Sequence, residues 1–235
     1  MKKKHLFWII PLTLLFVLFW AFCCYAGIFY HADAKAKEAL VSNDDVNVSF
    51  KNSYCIFDGK GEDKGLIIYP GGKVEYTAYA PLCMELAKNG IDVFLVDMPF
   101  NFSFFNMNAA DKIINEYNYD NWYIGGHSLG GACASIYASK NSSKVQGLIL
   151  LASYSTKEIS EDVKCLLIHG DNDKVLNLSN YNKCLTNCIN REEYLIEGGN
   201  HASFGSYGEQ KGDGKLSISS ELVISETVDF IVNNL

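Results

Sequence analysis

The chain has 235 residues, of which 49 % are hydrophobic, and a formal net charge of −7. That length suits one sizeable core and is short for two full domains. The apolar content excludes wholesale disorder, and the acidic balance speaks against a basic surface for nucleic acid or another polyanion.

The N-terminus stands apart from the rest. Lys2, Lys3 and Lys4 precede an apolar run from about Leu6 to Tyr30 that holds no Asp, Glu, Lys or Arg. Roughly 20 apolar residues at helical rise cross a hydrocarbon core, and this run exceeds that. Pro11 falls in the first turns, where a missing N–H is tolerated best. A secretory signal peptide is the rival, with a weak Ala-x-Ala site at Ala32–Ala34, but its apolar core is usually only about 7–15 residues. The expectation is therefore a cytoplasmic lysine cluster and an uncleaved transmembrane anchor over residues 1–31. The lysines before it place the N-terminus in the cytoplasm and the rest of the chain on the extracytoplasmic side of the cell membrane. Lys35 and Lys37 soften that contrast.

Residues 32–45 read as a juxtamembrane segment, helical over Ala32–Leu40. A folded domain is expected over residues 46–235, where short apolar strands alternate with helices. Val46–Phe50 and Tyr54–Phe57 alternate as edge strands. Gly65–Tyr69 is an apolar strand ending in Pro70-Gly71-Gly72. Thr77–Lys88 has helical spacing and stops at Asn89-Gly90. Ile91–Val96 is a strand, Ala109–Tyr117 a helix, Trp122–Ile124 a strand and Ser128–Ser139 a helix of small residues. Val145–Leu151, Val163–Ile168 and Glu192–Ile196 follow as strands, and Ser219–Asn233 closes the chain as a helix. Such alternation predicts an α/β fold with a mostly parallel central sheet and helices on both faces. Ligands then bind beyond the carboxyl ends of the strands. The connection from Leu151 to Val163 is only about a dozen residues long.

Eight cysteines are present. Cys23 and Cys24 lie in the apolar run, while Cys55, Cys83, Cys133 and Cys165 read as small core residues. Cys184 and Cys188 are four apart and can either pair in an exported domain or remain two thiols. There is no C-x-x-C pair, and no metal site is expected.

Gly126-His127-Ser128-Leu129-Gly130 fits G-x-S-x-G between a strand and a helix, the setting of a nucleophile elbow. Both glycines relieve collisions in a turn that throws the Ser128 hydroxyl outward. The helix N-terminus aims N–H groups at the place where an oxyanion forms. A serine needs a base. His5 and His31 belong to the anchor region, His127 sits inside the elbow and points elsewhere, and His169 ends a strand and shapes its turn. His201, in the polar loop Glu197–Ala202, is the remaining candidate. An acid is expected between Ser128 and His201 in the chain. Asp171 and Asp173 both lie just past a strand, and either can orient an imidazole. A calcium loop is the rival reading of that pair, but it lacks the required glycine and the bidentate Glu. The oxyanion hole needs one N–H from Leu129 and one from the loop after an earlier strand, here Gly72 or Lys73. Glu75 follows that loop as an anchor for it, a site residue or a solvated carboxylate.

Taken together, Tyr69-Pro-Gly-Gly-Lys-Val-Glu75, Gly125-Gly-His-Ser-Leu-Gly-Gly131, Leu150-Leu-Ala-Ser-Tyr154 and Gly198-Gly-Asn-His-Ala-Ser-Phe-Gly-Ser-Tyr-Gly208 with Gly212-Asp-Gly214 resemble the α/β-hydrolase superfamily. The nearer resemblance is to its small lidless alpha/beta hydrolase family five, from about Val46 onward. The resemblance implies the α/β-hydrolase fold and a Ser128, Asp173 and His201 triad, since its G-x-x-D-x-x-[VIL] pattern selects Asp173. It also implies an ester or thioester acyl substrate; the lidless site favours small or accessible acyl groups, the anchor permits a lipid substrate without requiring one, and the chemistry needs no cofactor. An acyltransferase would use the same triad. An epoxide hydrolase of this fold would carry Asp in place of Ser128. A non-catalytic membrane-anchored binding module is the alternative of a different class.

Overall fold

The computed structural model describes residues 3–61 and 63–235, with side chains from residue 9 onward. Lys2 and the side chains of Lys3, Lys4 and His5 lie outside the described residues. Helix α1 (Lys3–Ala26) is followed by the short α2 (Ala34–Glu38). Then come β1 (Asn47–Lys51), β2 (Tyr54–Asp58), β3 (Lys64–Tyr69), α3 (Ala80–Lys88), β4 (Asp92–Val96), α4 (Ala109–Glu116) and β5 (Asn121–His127). The chain continues through α5 (Leu129–Lys140), β6 (Gly147–Leu151), β7 (Lys164–Gly170), α6 (Leu178–Cys184), β8 (Arg191–Ile196) and α7 (Ser220–Asn234).

The strands form one sheet in the order β1-β2-β4-β3-β5-β6-β7-β8. β1 and β2 pair antiparallel, as do β2 and β4, and every remaining pair is parallel. Alternate residues serve opposite faces, which explains the unbroken apolar runs. Leu66, Ile68, Val93, Leu95, Leu166 and Ile168 pack with Leu82 and Leu86 of α3 and Val223 and Ile231 of α7. Ile67, Phe94, Ile124, Leu148, Leu150 and Leu167 pack with α4, α5 and α6 on the other side. Each such side chain, fully buried, contributes about 1.5–3 kcal/mol of transfer free energy. β8 closes one edge, and its exposed Glu192 and Glu193 protect that edge from pairing with another strand.

This is the α/β-hydrolase architecture the sequence led us to expect, without an inserted lid: residues 152–163 join β6 to β7 directly. Several boundaries differ. β5 continues through Gly125–His127, because Gly125 and Gly126 still pair with Ile68 and Tyr69 of β3. The expected helix Thr77–Lys88 begins as a 3-10 turn at Tyr76–Tyr79, and Pro81 in the first turn of α3 marks where the α-helix proper starts. The expected helix Ala32–Leu40 shortens to α2, capped by the Asp33 carboxylate accepting from Ala36 N at 3.0 Å. α6 and the 3-10 turns Pro99–Asn101 and Ser103–Phe105 have no counterpart in the sequence reading.

α1 is long and apolar enough to cross a membrane over Ile9–Ala26, and a signal sequence passes the same test. Its exit is stitched to the domain. Tyr30 N donates to Lys73 O at 2.8 Å, and Glu75 N donates to Tyr30 O at 2.9 Å. Ala32 and Ala36 are buried in the domain core. Every cysteine is free, and the buried Cys184 and Cys188 sulfurs lie 3.7 Å apart.

Candidate active site

β3, β5, β7 and β8 lie in the parallel part of the sheet, so their carboxyl ends open on one rim. Four loops gather there, starting at Pro70, Ser128, Asp171 and Glu197.

Ser128 is the hinge between β5 and α5, with φ 53° and ψ −121°. A non-glycine residue enters this region only under constraint. The constraint is visible on both sides: Ser128 N donates to Leu151 O at 2.9 Å, and Ser153 Oγ donates to Ser128 O at 2.7 Å. The elbow also needs its flanking glycines. A Cβ on Gly130 would sit 2.2 Å from Tyr69 O, and one on Gly126 would sit 2.6 Å from the same oxygen.

His201 and Asp173 meet across the rim, with His201 Nδ1 2.8 Å from Asp173 Oδ2. Both are withdrawn from solvent, at 1 % and 6 % exposure. The other carboxylate oxygen of Asp173 accepts from Val175 N and Leu176 N, each at 2.8 Å. Burial pushes the Asp173 carboxyl up, but the His201 hydrogen bond and charge and the two amides outweigh it, and the pKa falls below the usual value. His201 thus donates from Nδ1 to a carboxylate. Its Nε2 is buried with no hydrogen-bond partner among the described residues. Asp171 takes no part, because its carboxylate accepts from Gly198 N at 2.7 Å and pins the loop that leads to His201. The geometry puts Asp173, the aspartate that the resemblance selects, against His201, and leaves Asp171 to the loop.

Ser128 and His201 line one cavity of about 250 Å³ with Leu129, Ser153, Tyr154 and Leu176. Leu129 N opens α5, and neither it nor Gly72 N has a hydrogen-bond partner among the described residues. Gly72 lies against Leu129, since a Cβ on it would fall 2.9 Å from Leu129 Cδ2. Lys73, the second oxyanion candidate, drops out. Its N–H is committed to Asn101 O at 2.8 Å in a left-handed turn at φ 60°. The side chain turns away too, its Nζ 3.9 Å from the centre of the Tyr25 ring.

A family model described as the alpha/beta hydrolase family matches residues 65–224. The chain belongs to that family. Among solved structures, the hydrolase is similar to a predicted CIB-like hydrolase from Thermoplasma acidophilum, at TM-score 0.56 and 17 % identity over 80 % of this chain and 97 % of that one. It is likewise similar to Est1E from Butyrivibrio proteoclasticus, at TM-score 0.56 and 14 % identity over 81 % of this chain and 98 % of that one. At these identities the likeness is one of fold. No curated protein matches the hydrolase.

Several residues of the hydrolase's rim were not legible as site residues. His127 does turn away from the cavity, yet it ties three parts of the rim together. His127 Nε2 lies 3.0 Å from His201 O, and its Nδ1 lies 2.8 Å from Tyr79 Oη. A carbonyl only accepts, so the proton is on Nε2 and Tyr79 donates to Nδ1. Burial, and then the neighbouring His201, hold His127 far below the usual imidazole pKa, which keeps it neutral. Gly71 N donates to Tyr79 Oη at 3.0 Å, extending the chain to the loop that carries Gly72. Asp213 accepts from Ala202 N at 2.9 Å and from Lys174 N at 3.3 Å, bracing the His201 and Asp173 turns at once. Its only sequence signal was its place in Gly212-Asp-Gly214. Glu75 proves to be an anchor, accepting from Ala32 N at 3.0 Å and Thr77 Oγ1 at 2.8 Å. His169 packs on Tyr181 with ring centres 4.5 Å apart, away from Ser128. Larger hollows of about 490 Å³ and 460 Å³ lie between α2, α3 and α7 and beside the 205–216 loop, and neither is lined by Ser128 or His201.

Proposed function

We propose that the hydrolase cleaves carboxylic ester or thioester bonds through Ser128, His201 and Asp173, by way of an acyl-enzyme. The observation that carries this reading is the buried His201–Asp173 pair, whose histidine, its Nε2 unpartnered among the described residues, lines the same small cavity as a serine held at positive φ. A buried nitrogen without a partner is rare and calls for a reason. Here the reason is a proton to be accepted.

In the proposed cycle, His201 Nε2 takes the Ser128 proton as Oγ attacks the acyl carbonyl. Asp173 fixes the ring tautomer and stabilises the imidazolium. The N–H groups of Leu129 and Gly72 hold the oxyanion, and removing one such donor typically costs about 2.7–4 kcal/mol of barrier. His201 then protonates the leaving group, and water repeats the attack on the acyl-enzyme. The residues supply every proton transfer themselves. We also propose that α1 remains as a single-pass anchor, with its N-terminus cytoplasmic and the domain across the membrane; the apolar length of Ile9–Ala26 and the lysines at positions 2, 3 and 4 before it support this reading.

A screen of acyl esters and thioesters against wild type and Ser128→Ala, with released acid and alcohol both quantified, tests the activity. Equal release of both products by wild type, and none by the variant, is the expected result. Turnover retained by Ser128→Ala would overturn it.

A further inference from the structure

The last turns of α1 do not project freely from the domain. They rest on an aromatic loop that also touches the active site. The Phe22 ring lies 5.7 Å from Phe100 and 5.6 Å from Phe105, edge to face in both cases. Tyr25 stacks on Phe102 at 6.3 Å. The loop then reaches inward. Asn101 O holds Lys73 N, and Ser103 Oγ donates to Pro70 O at 3.0 Å. The buried Phe102 ring lies beside Gly72, one residue from the cavity wall at Leu129. One face of the loop therefore belongs to the site and the other to α1.

Its outer surface is the unusual part. Phe100, Phe104 and Phe105 are 51 %, 45 % and 47 % exposed. Phe104 and Phe105 pack on each other at 4.4 Å while both face outward. This apolar surface is continuous with the exposed apolar flank of α1, whose Phe19, Trp20 and Tyr25 are also outward. Single exposed apolar residues need no explanation, but a contiguous patch does. Aromatic rings favour the membrane–water boundary, where one side is apolar and the other wet. The Tyr30–Val74 pairing and the Glu75 contact to Ala32 hold the segment after α1 to the domain, and Phe22 and Tyr25 rest on the loop, so the patch lies beside the end of α1. The chain's net charge of −7 disfavours electrostatic attraction to an anionic membrane surface, and the exposed rings favour apolar insertion as the contact.

We propose that the Pro99–Asn106 loop inserts into the boundary of the bilayer that α1 spans, and that the Ser128 cavity draws its acyl substrate from that bilayer. The substrate class is then a membrane-resident lipid ester. This rests on the serine-hydrolase and anchor readings above. The occupant is lipid because α1, the neighbour with which the patch is continuous, is itself a lipid-facing helix.

The full chain in phospholipid vesicles tests this in two arms. In the first, Phe104→Trp adds a reporter, and its extra emission over wild type is quenched with lipids brominated near the top of the acyl chain or with aqueous iodide. Quenching by the brominated lipid is expected. Quenching by iodide alone would overturn the proposal, and so would shielding from both quenchers, the signature of a second copy seated on the patch. In the second arm, Phe104→Ser/Phe105→Ser is compared with wild type. Vesicle-embedded fluorogenic diacyl lipid should be hydrolysed at least about tenfold more slowly, the scale expected for exposing two phenyl rings. Cleavage of a soluble acetyl ester should stay within about twofold, because neither ring lines the cavity. Unchanged lipid hydrolysis would overturn the proposal. Loss of both activities would overturn it as well, by making the rings part of the fold. If wild type is inert toward every ester but Phe104→Trp is quenched by lipid, the failure lies with the hydrolase reading and the membrane contact stands.

Discussion

Ser128 is held in a conformation that serine avoids, and its neighbours supply the restraint. The strain is a property of the backbone, so Ser128→Ala should keep the fold and lose turnover, with an unfolding midpoint close to wild type as the check. Asp173 acts through His201. Asp173→Asn keeps the shape but favours the wrong tautomer, and kcat should fall by roughly four orders of magnitude. Its charge also gives a signed pH effect. The native carboxyl titrates below its usual value, so it contributes stability that is full above about pH 4 and fades as pH falls through the native pKa. Urea titrations at a series of pH values should show wild type exceeding Asp173→Asn at neutral pH and converging with it in acid. Gly72→Ala would drive a methyl into Leu129 and shift both proposed oxyanion donors, lowering kcat by about 10²-fold, as a displacement of about 1 Å does. At this scale the sequence picked out Ser128 and His201, because motif and chain order single them out, and the two line one cavity. It chose Asp173 over Asp171 only through the resemblance, and left Gly72 against Lys73 open. In both pairs the distinction lies in which backbone partner each group has already taken, and spacing does not encode that.

The α1 exit, the loop after β3 and the aromatic turns form one hydrogen-bonded assembly. Glu75 is its fastening. Burial raises the Glu75 carboxyl, but Ala32 N–H, Thr77 and His31 outweigh that and lower its pKa. Glu75→Ala removes the acceptor for Ala32 N–H, so hydrogen exchange should quicken at Ala32 while the amides of β5 stay protected. Tyr79→Phe leaves Gly71 N–H and His127 Nδ1 without their shared hydroxyl, and an unfolding titration should show a loss of about 1–3 kcal/mol. Strands were the most legible elements, because burial on both faces makes them apolar runs. α6 was not, since Leu178–Cys184 buries only Tyr181 and Cys184 and its start rests on an Asn177 cap. The aromatic turns were invisible for a different reason. They place Phe100 and Asn101 at φ 57° and 58°, where no pattern predicts a phenylalanine.

At the scale of the molecule, alternation of strands and helices was enough to indicate a parallel sheet with a rim of loops. The sheet order and the embrace of α1 by the domain depend on contacts remote in sequence. That embrace joins α1 to the loop beside the cavity. Retention of the anchor has its own check: the intact mass of the mature protein should include residues 1–34, and a mass beginning after Ala34 would mark α1 as a cleaved signal. The most direct test of the central claim is labelling of the full chain in its membrane with a fluorophosphonate probe, beside Ser128→Ala and His201→Ala. Labelling of wild type that both variants lose is the predicted result. A folded wild type that takes no label, or a Ser128→Ala variant that labels as wild type does, would contradict it.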